Sequence, residues 1–110
     1  MSRDKVRDQD RERKALFFIL SGCPDLINLD INDIYDFKEH CLVINLEYQE
    51  AIEQFYLSSS SGSLLLLACN LYNNRNKSLS VSDTFSNLDE DNLKLALNSI
   101  RIRFERDLKI

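Results

Sequence analysis

Glycine and proline are scarce in this chain, two residues of one and a single residue of the other among 110. A sequence so poor in both cannot supply the many tight turns of a β-barrel or β-sandwich. Long apolar runs are also lacking. The longest, Ala15 to Leu20 and Leu64 to Cys69, are six residues each, against roughly 20 for a helix that spans a bilayer. No small-residue cleavage site follows the first run, so neither a targeting segment nor a membrane segment is expected. The three cysteines, Cys23, Cys41 and Cys69, are odd in number and widely spaced with no C-x-x-C, which excludes a disulfide framework and a zinc knuckle. Reduced thiols in a cytoplasm are the expectation, and the sequon Asn76-Lys77-Ser78 then has no glycosylating route. Histidine occurs once, as His40 beside Cys41. Neighbours in sequence face apart in a strand and face poorly in a helix, so the two do not make a nucleophile and base. No catalytic group, metal site or cofactor is expected, and the protein is not read as an enzyme.

What remains is 44% hydrophobic residues in a chain the size of one ordinary domain. Helices joined by short polar loops fit this composition. The expected fold is mainly α, a compact single-domain bundle of about five to six helices, with the stretch 41–44 left open as a connector or one short strand. Residues 1–14 are read as a charged N-terminal helical extension and 15–110 as the helical domain. In the extension, Arg3, Arg7, Arg11 and Lys14 share one stripe beside Asp4, Asp8 and Glu12, and its i,i+3 pairs are worth only about 0.2–0.5 kcal/mol each. Ala15 to Leu20 carries this helix into the core. Ser21-Gly22 is expected to end it, with Gly22 in the left-handed conformation and Pro24 opening a short helix over Leu26, Ile27 and Leu29.

Farther along, Asp30-Ile31-Asn32 offers an N-cap for a short helix through Phe37, with Ile31, Ile34 and Tyr35 facing inward. Asn45 is a candidate cap for a helix over Leu46 to Tyr56. The polar run Ser58 to Ser63 then meets Leu64-Leu65-Leu66-Leu67-Ala68-Cys69, and a helix apolar on every side implies a central position. Ser80 or Ser82 starts a short helix holding Val81 and Phe85. The last helix has an Asp N-cap in Leu88-Asp89-Glu90-Asp91-Asn92, with Leu93, Ala96, Leu97, Ile100, Phe104 and Leu108 at helical spacing and the outward pairs Arg101/Glu105 and Arg103/Asp107.

Charge is uneven. Residues 1–14 carry six basic and four acidic groups, residues 101–110 four and two, and the middle four and twelve. An acidic body argues against direct binding to a nucleic-acid backbone and permits a basic protein partner. The exposed acids Asp33, Asp36, Glu47, Glu50 and Glu53 are the candidate partner-binding residues, with binding expected to weaken steeply with salt. Asp30, Asp33, Asp36 and Glu39 recur every three residues and would share a helical face, but a loop begun at Asp30 has Tyr35 where a calcium loop needs glycine and Cys41 where it needs glutamate. The candidate ligand site is Ser60, Ser61, Gly62 and Ser63. Helix N-termini leave N–H groups unpaired, and hydroxyls with glycine let a phosphate or nucleotide approach; no Walker spacing is present. Ordinary serine capping accounts for the same residues. Tyr48, Phe55 and Tyr72 are candidates for a homo-oligomer contact.

The chain resembles a family of small uncharacterised proteins from Gram-positive bacteria and their phages. The likeness covers roughly residues 14–106 and is carried by Lys14 to Leu20, by Ile31 to Lys38, by Ser60-Ser61-Gly62-Ser63 leading into Leu67 to Asn73, and by Ser82-Asp83-Thr84-Phe85 with the closing Ile100 to Phe104. The family brings no activity. It implies a phage or prophage accessory protein, and small acidic proteins of that kind without catalytic groups work by occupying a host protein, perturbing a defence or nucleic-acid-processing complex.

Overall fold

A computed structural model describes residues 2–105, and side chains from residue 10 onward. Among the described residues six helices form the fold: α1 Ser2–Gly22, α2 Pro24–Ile27, α3 Tyr48–Phe55, α4 Ser59–Tyr72, α5 Val81–Asn87 and α6 Glu90–Phe104. Between α2 and α3 lie a single 3₁₀ turn, Ile31–Asp33, and a two-residue antiparallel ladder, β1 Tyr35–Asp36 with β2 Cys41–Leu42, in the register Tyr35 to Leu42 and Asp36 to Cys41. The protein is mainly α. Among the described residues no helix is long and apolar enough to cross a membrane.

Helix α4 is the centre, as its sequence demands. Every residue from Ser60 to Cys69 is buried, and α1, α2, α3, α5 and α6 all pack against it. Leu64 and Leu65 have no exposed surface, and burying a leucine contributes about 1.5–3 kcal/mol. Gly22 meets Leu95 while Glu12 meets Arg103, so α1 and α6 run antiparallel. Ser60 meets Asn92 while Leu71 meets Arg103, so α4 and α6 run parallel. The remaining core includes Leu16, Ile19, Leu26, Ile34, Tyr35 and Ala96.

Several local expectations are corrected. No glycine has a positive φ: Gly22 is still helical, and its bare Cα makes room for Leu95, whose Cδ2 would stand 2.5 Å from an added Cβ where α1 crosses α6. The left-handed cap belongs to Tyr56 instead, which closes α3 at φ 57° and ψ 49° and is 93% exposed. Asp30 does cap, accepting from Asn32 N, but only one 3₁₀ turn follows, because Ile34 to Leu42 reverses into the hairpin. The face of acids at every third residue is thereby lost. Glu47 stands at the N-cap of α3, and Asn45 instead accepts from Lys77 N at 2.8 Å. Stretch 41–44 holds one of two paired strands, not a lone one. The pairs expected at Asp4/Arg7, Asp8/Arg11 and Arg103/Asp107, and the burial of Leu108, fall outside the described side chains.

Burial separates the three thiols. Cys23 and Cys69 are buried and Cys41 is exposed; desolvation raises the thiol of Cys23 and pushes that of Cys69 up to about 12. The neutral buried thiols therefore stabilise the fold up to their unfolded pKa near 9.0, and that contribution falls as pH rises toward the folded values. A disulfide reagent at pH 8 should react quickly with one thiol, Cys41, and with the other two only in denaturant. Urea titrations should show stability declining from pH 9 upward, less so in Cys69→Ala.

Candidate functional site

The serine-rich end of α4 is closed. Ser58 is the N-cap: its hydroxyl accepts from Ser61 N at 3.1 Å, and Ser61 Oγ accepts from Ser58 N at 3.0 Å, the reciprocal capping pair that a Ser-x-x-Ser spacing permits. Ser60 Oγ accepts from Asp89 N at 3.0 Å and from Asn92 Nδ2 at 2.8 Å, tying α4 to the start of α6. Ser63 Oγ accepts from Asn87 Nδ2 at 3.0 Å, at the end of α5. Gly62 leaves room for α3, since a Cβ there would lie 2.7 Å from Ile52 Cγ1. Ser60, Ser61, Gly62 and Ser63 are all buried, so the residues proposed for a phosphate or nucleotide are arranged as a clasp between helices.

The five candidate acids fall into two groups. Glu47, Glu50 and Glu53 lie along α3, where Glu50 accepts from Glu47 N at 2.9 Å, Glu53 accepts from Gln49 and Glu47 pairs with Lys77 at 3.3 Å. Asp33 ends the 3₁₀ turn, and Asp36 accepts from Lys38 N and Glu39 N, shaping the hairpin turn. Most of these carboxylates thus have local partners. Tyr48, Phe55 and Tyr72 are each more than half buried, which leaves them little surface for a dimer contact. Among the described residues no three His, Cys, Asp or Glu side chains converge as metal ligands.

The opposite end of α4 is open. Here an apolar groove of about 480 Å³ is lined by Leu67 and Leu71 of α4, Leu79 of the preceding loop to α5, Phe85 of α5, and Ile100 and Phe104 of α6. Phe104 is 58% exposed, and Val81 at the groove's edge is 76% exposed. A cleft of about 440 Å³ adjoins it, lined by Glu12, Arg13, Tyr35, His40, Tyr72 and Asn73. Glu12, Tyr72 and Asn73 border both, so the two depressions are neighbours that share these three residues, together a trough with an apolar half and a polar half.

The wall of the polar half is aromatic. Tyr35 packs edge-on against Phe17, Phe37 and Tyr72 at ring separations of 5.2, 5.1 and 5.4 Å, and Phe17 stacks on Phe37. Tyr72 donates to the His40 carbonyl at 2.7 Å. A phenol has one proton, so the 3.2 Å contact between the two hydroxyls has Tyr35 as donor. This chain, Tyr35 to Tyr72 to His40 C=O, is reached because His40 adopts φ 55°, a left-handed conformation uncommon outside glycine. Burial holds the Tyr72 phenol well above its ordinary pKa. Arg103 donates from Nε to Leu71 O at 3.0 Å, capping α4, and lies 3.8 Å from Glu12.

Sequence reasoning missed this site. Tyr35 and Tyr72 are 37 residues apart, and of the lining residues sequence reasoning singled out only Tyr72 as a contact, for a homo-oligomer. Ser60→Ala should destabilise the fold by about 1–3 kcal/mol in urea titrations, by leaving Asp89 N–H and Asn92 Nδ2 without their acceptor. Inorganic phosphate, ADP and ATP should leave the wild-type melting temperature unchanged; a rise would make the serine end a ligand site after all. No curated protein and no solved structure matches the chain. A family of unknown function, DUF6075, matches over residues 2–110, and the chain belongs to that family.

Proposed function

We propose that this protein is a binding module that holds a segment of another protein in the trough at the C-terminal end of α4, and that it has no catalytic activity of its own. The observation that carries this reading is the groove of about 480 Å³ at the end of α4, with exposed Val81 and Phe104 at its lip and a polar cleft beside it that shares Glu12, Tyr72 and Asn73. Such grooves bury the anchors of an apolar segment while convergent polar groups at one end set its direction. Phe104 and Val81 provide the exposed apolar lip that partners bury. The reading moves the contact surface from the acids of α3 and the hairpin to the far end of α4. The setting we place it in is that of a phage or prophage accessory protein occupying a host protein in the cytoplasm.

The test is a tagged pull-down from host lysate with three forms of the full chain: wild type, Phe104→Asp, and the double variant Glu50→Lys, Glu53→Lys. Phe104 is half exposed, so aspartate there leaves the core intact, which circular dichroism checks. A stoichiometric partner should be retained by wild type and by the α3 variant and lost with Phe104→Asp. The reverse pattern would return the contact to the acids.

A further inference from the structure

Resting on the apolar groove as the binding surface, we infer that the bound segment enters it with a tyrosine or tryptophan side chain, whose ring O–H or N–H donates to the Thr84 hydroxyl. The ground is how the polar groups lining the groove are satisfied. Asn73, Asn74 and Ser78 are exposed on its rim, where solvent serves them. Deeper in the wall, Glu12 and Arg103 face each other at 3.8 Å, Arg103 also donates to Leu71 O, and Tyr72 spends its proton on the His40 carbonyl. Asn70 donates from Nδ2 to Asn76 O at 2.9 Å, which fixes the amide and leaves Oδ1 without a partner among the described residues. Thr84 is 3% exposed. Its backbone N–H reaches Ser80 O at 2.9 Å, but its hydroxyl makes no hydrogen bond among the described residues.

That hydroxyl opens onto the groove. Among the described residues no fully buried side-chain oxygen or nitrogen lacks a partner, so the unpartnered Thr84 oxygen holds part of the little surface this residue has, and Thr84 lines the groove. An aliphatic or phenylalanine anchor seated there would strip water from Thr84 Oγ1 and Asn70 Oδ1 and give nothing back, which costs affinity. An anchor with a large apolar body and a polar tip meets both demands, and tyrosine and tryptophan have that form. A carbonyl oxygen only accepts and a threonine hydroxyl can accept, which selects a ring that carries a donor. The same two rings are enriched among the residues that carry most of the energy in protein contacts.

The experiment pans a random peptide library against the full-length protein. Enriched peptides should share a tyrosine or tryptophan and lose binding in Phe104→Asp. Removing the ring's donor, by phenylalanine for tyrosine or by benzothienylalanine for tryptophan, should weaken binding about fivefold, the size of one neutral hydrogen bond. Thr84→Val should weaken the unmodified peptide by the same factor, and removing the ring donor should then cost nothing further, as a double-mutant cycle requires of groups in contact. Ser82→Ala, which deletes an exposed hydroxyl of α5 outside the groove, should leave affinity unchanged. The melting temperature of Thr84→Val should match the wild type; a marked fall would show that the hydroxyl is bonded within the fold and overturn the proposal. Peptides lost in Phe104→Asp but anchored by aliphatic or phenylalanine side chains, or indifferent to Thr84→Val, would overturn the hydrogen bond and leave the groove standing. No enrichment, or enrichment indifferent to Phe104→Asp, would overturn both. Concentration-dependent sedimentation of the chain alone, abolished by Phe104→Asp, would put a second copy in the groove and overturn the proposal.

Discussion

A helix that is apolar on every side has to be covered on every side, and that requirement governs this fold. From Leu64 to Cys69 there is no polar residue to turn toward water, so α4 cannot lie on a surface. Five helices supply the cover, and they are short except for α1 and α6. The long pair brackets α4 from two directions, one parallel to it and one antiparallel. Gly22 lets that pair approach closely, and Gly62 does the same for α3 on α4.

The two ends of α4 are finished differently, and function follows from the contrast. At its start, serine hydroxyls replace water for the backbone and for neighbouring side chains, so the polar groups are buried at little cost because each has a partner. Asn87, Asp89 and Asn92 complete that clasp from α5 and α6. At its end, the cover is incomplete. The connection from Asn73 to Ser80 and the short α5 leave Leu67 and Leu71 facing a groove, and Arg103 caps the helix while bordering it. The phenol chain beside it gives the polar half a fixed wall.

Much of this was legible in the residues, wherever the signal is local. The Asp89 and Ser80 caps, the break at Pro24 and the central place of Leu64 to Cys69 follow from short-range chemistry. Ser58 to Ser63 read as a cap or a ligand site because both use the same hydroxyls; the partners that Ser60 and Ser63 take, Asn92 and Asn87, are remote in sequence. Gly22 was misread because a glycine near a helix end serves turns and close crossings alike, and only Leu95 distinguishes them. The hairpin hid in a segment whose Asp30 cap promised a helix. The trough had no local signature at all. Its walls come from α1, the hairpin, α4, α5 and α6, and spacing along any one of them distinguishes inward from outward without showing where the inward faces fail to meet.

The central claim is that an apolar groove lies at the C-terminal end of α4, whereas at its start the serine hydroxyls are taken up by α5 and α6. Nuclear magnetic resonance of the methyl-labelled full chain, titrated with indole as a small apolar probe, tests it most directly. The account predicts shifts at Leu71, Leu79, Val81 and Ile100, with Leu64, Leu65 and the amides of Ser60 to Ser63 unmoved. Shifts centred on the serine end or on α3, with Leu79 and Ile100 silent, would contradict it.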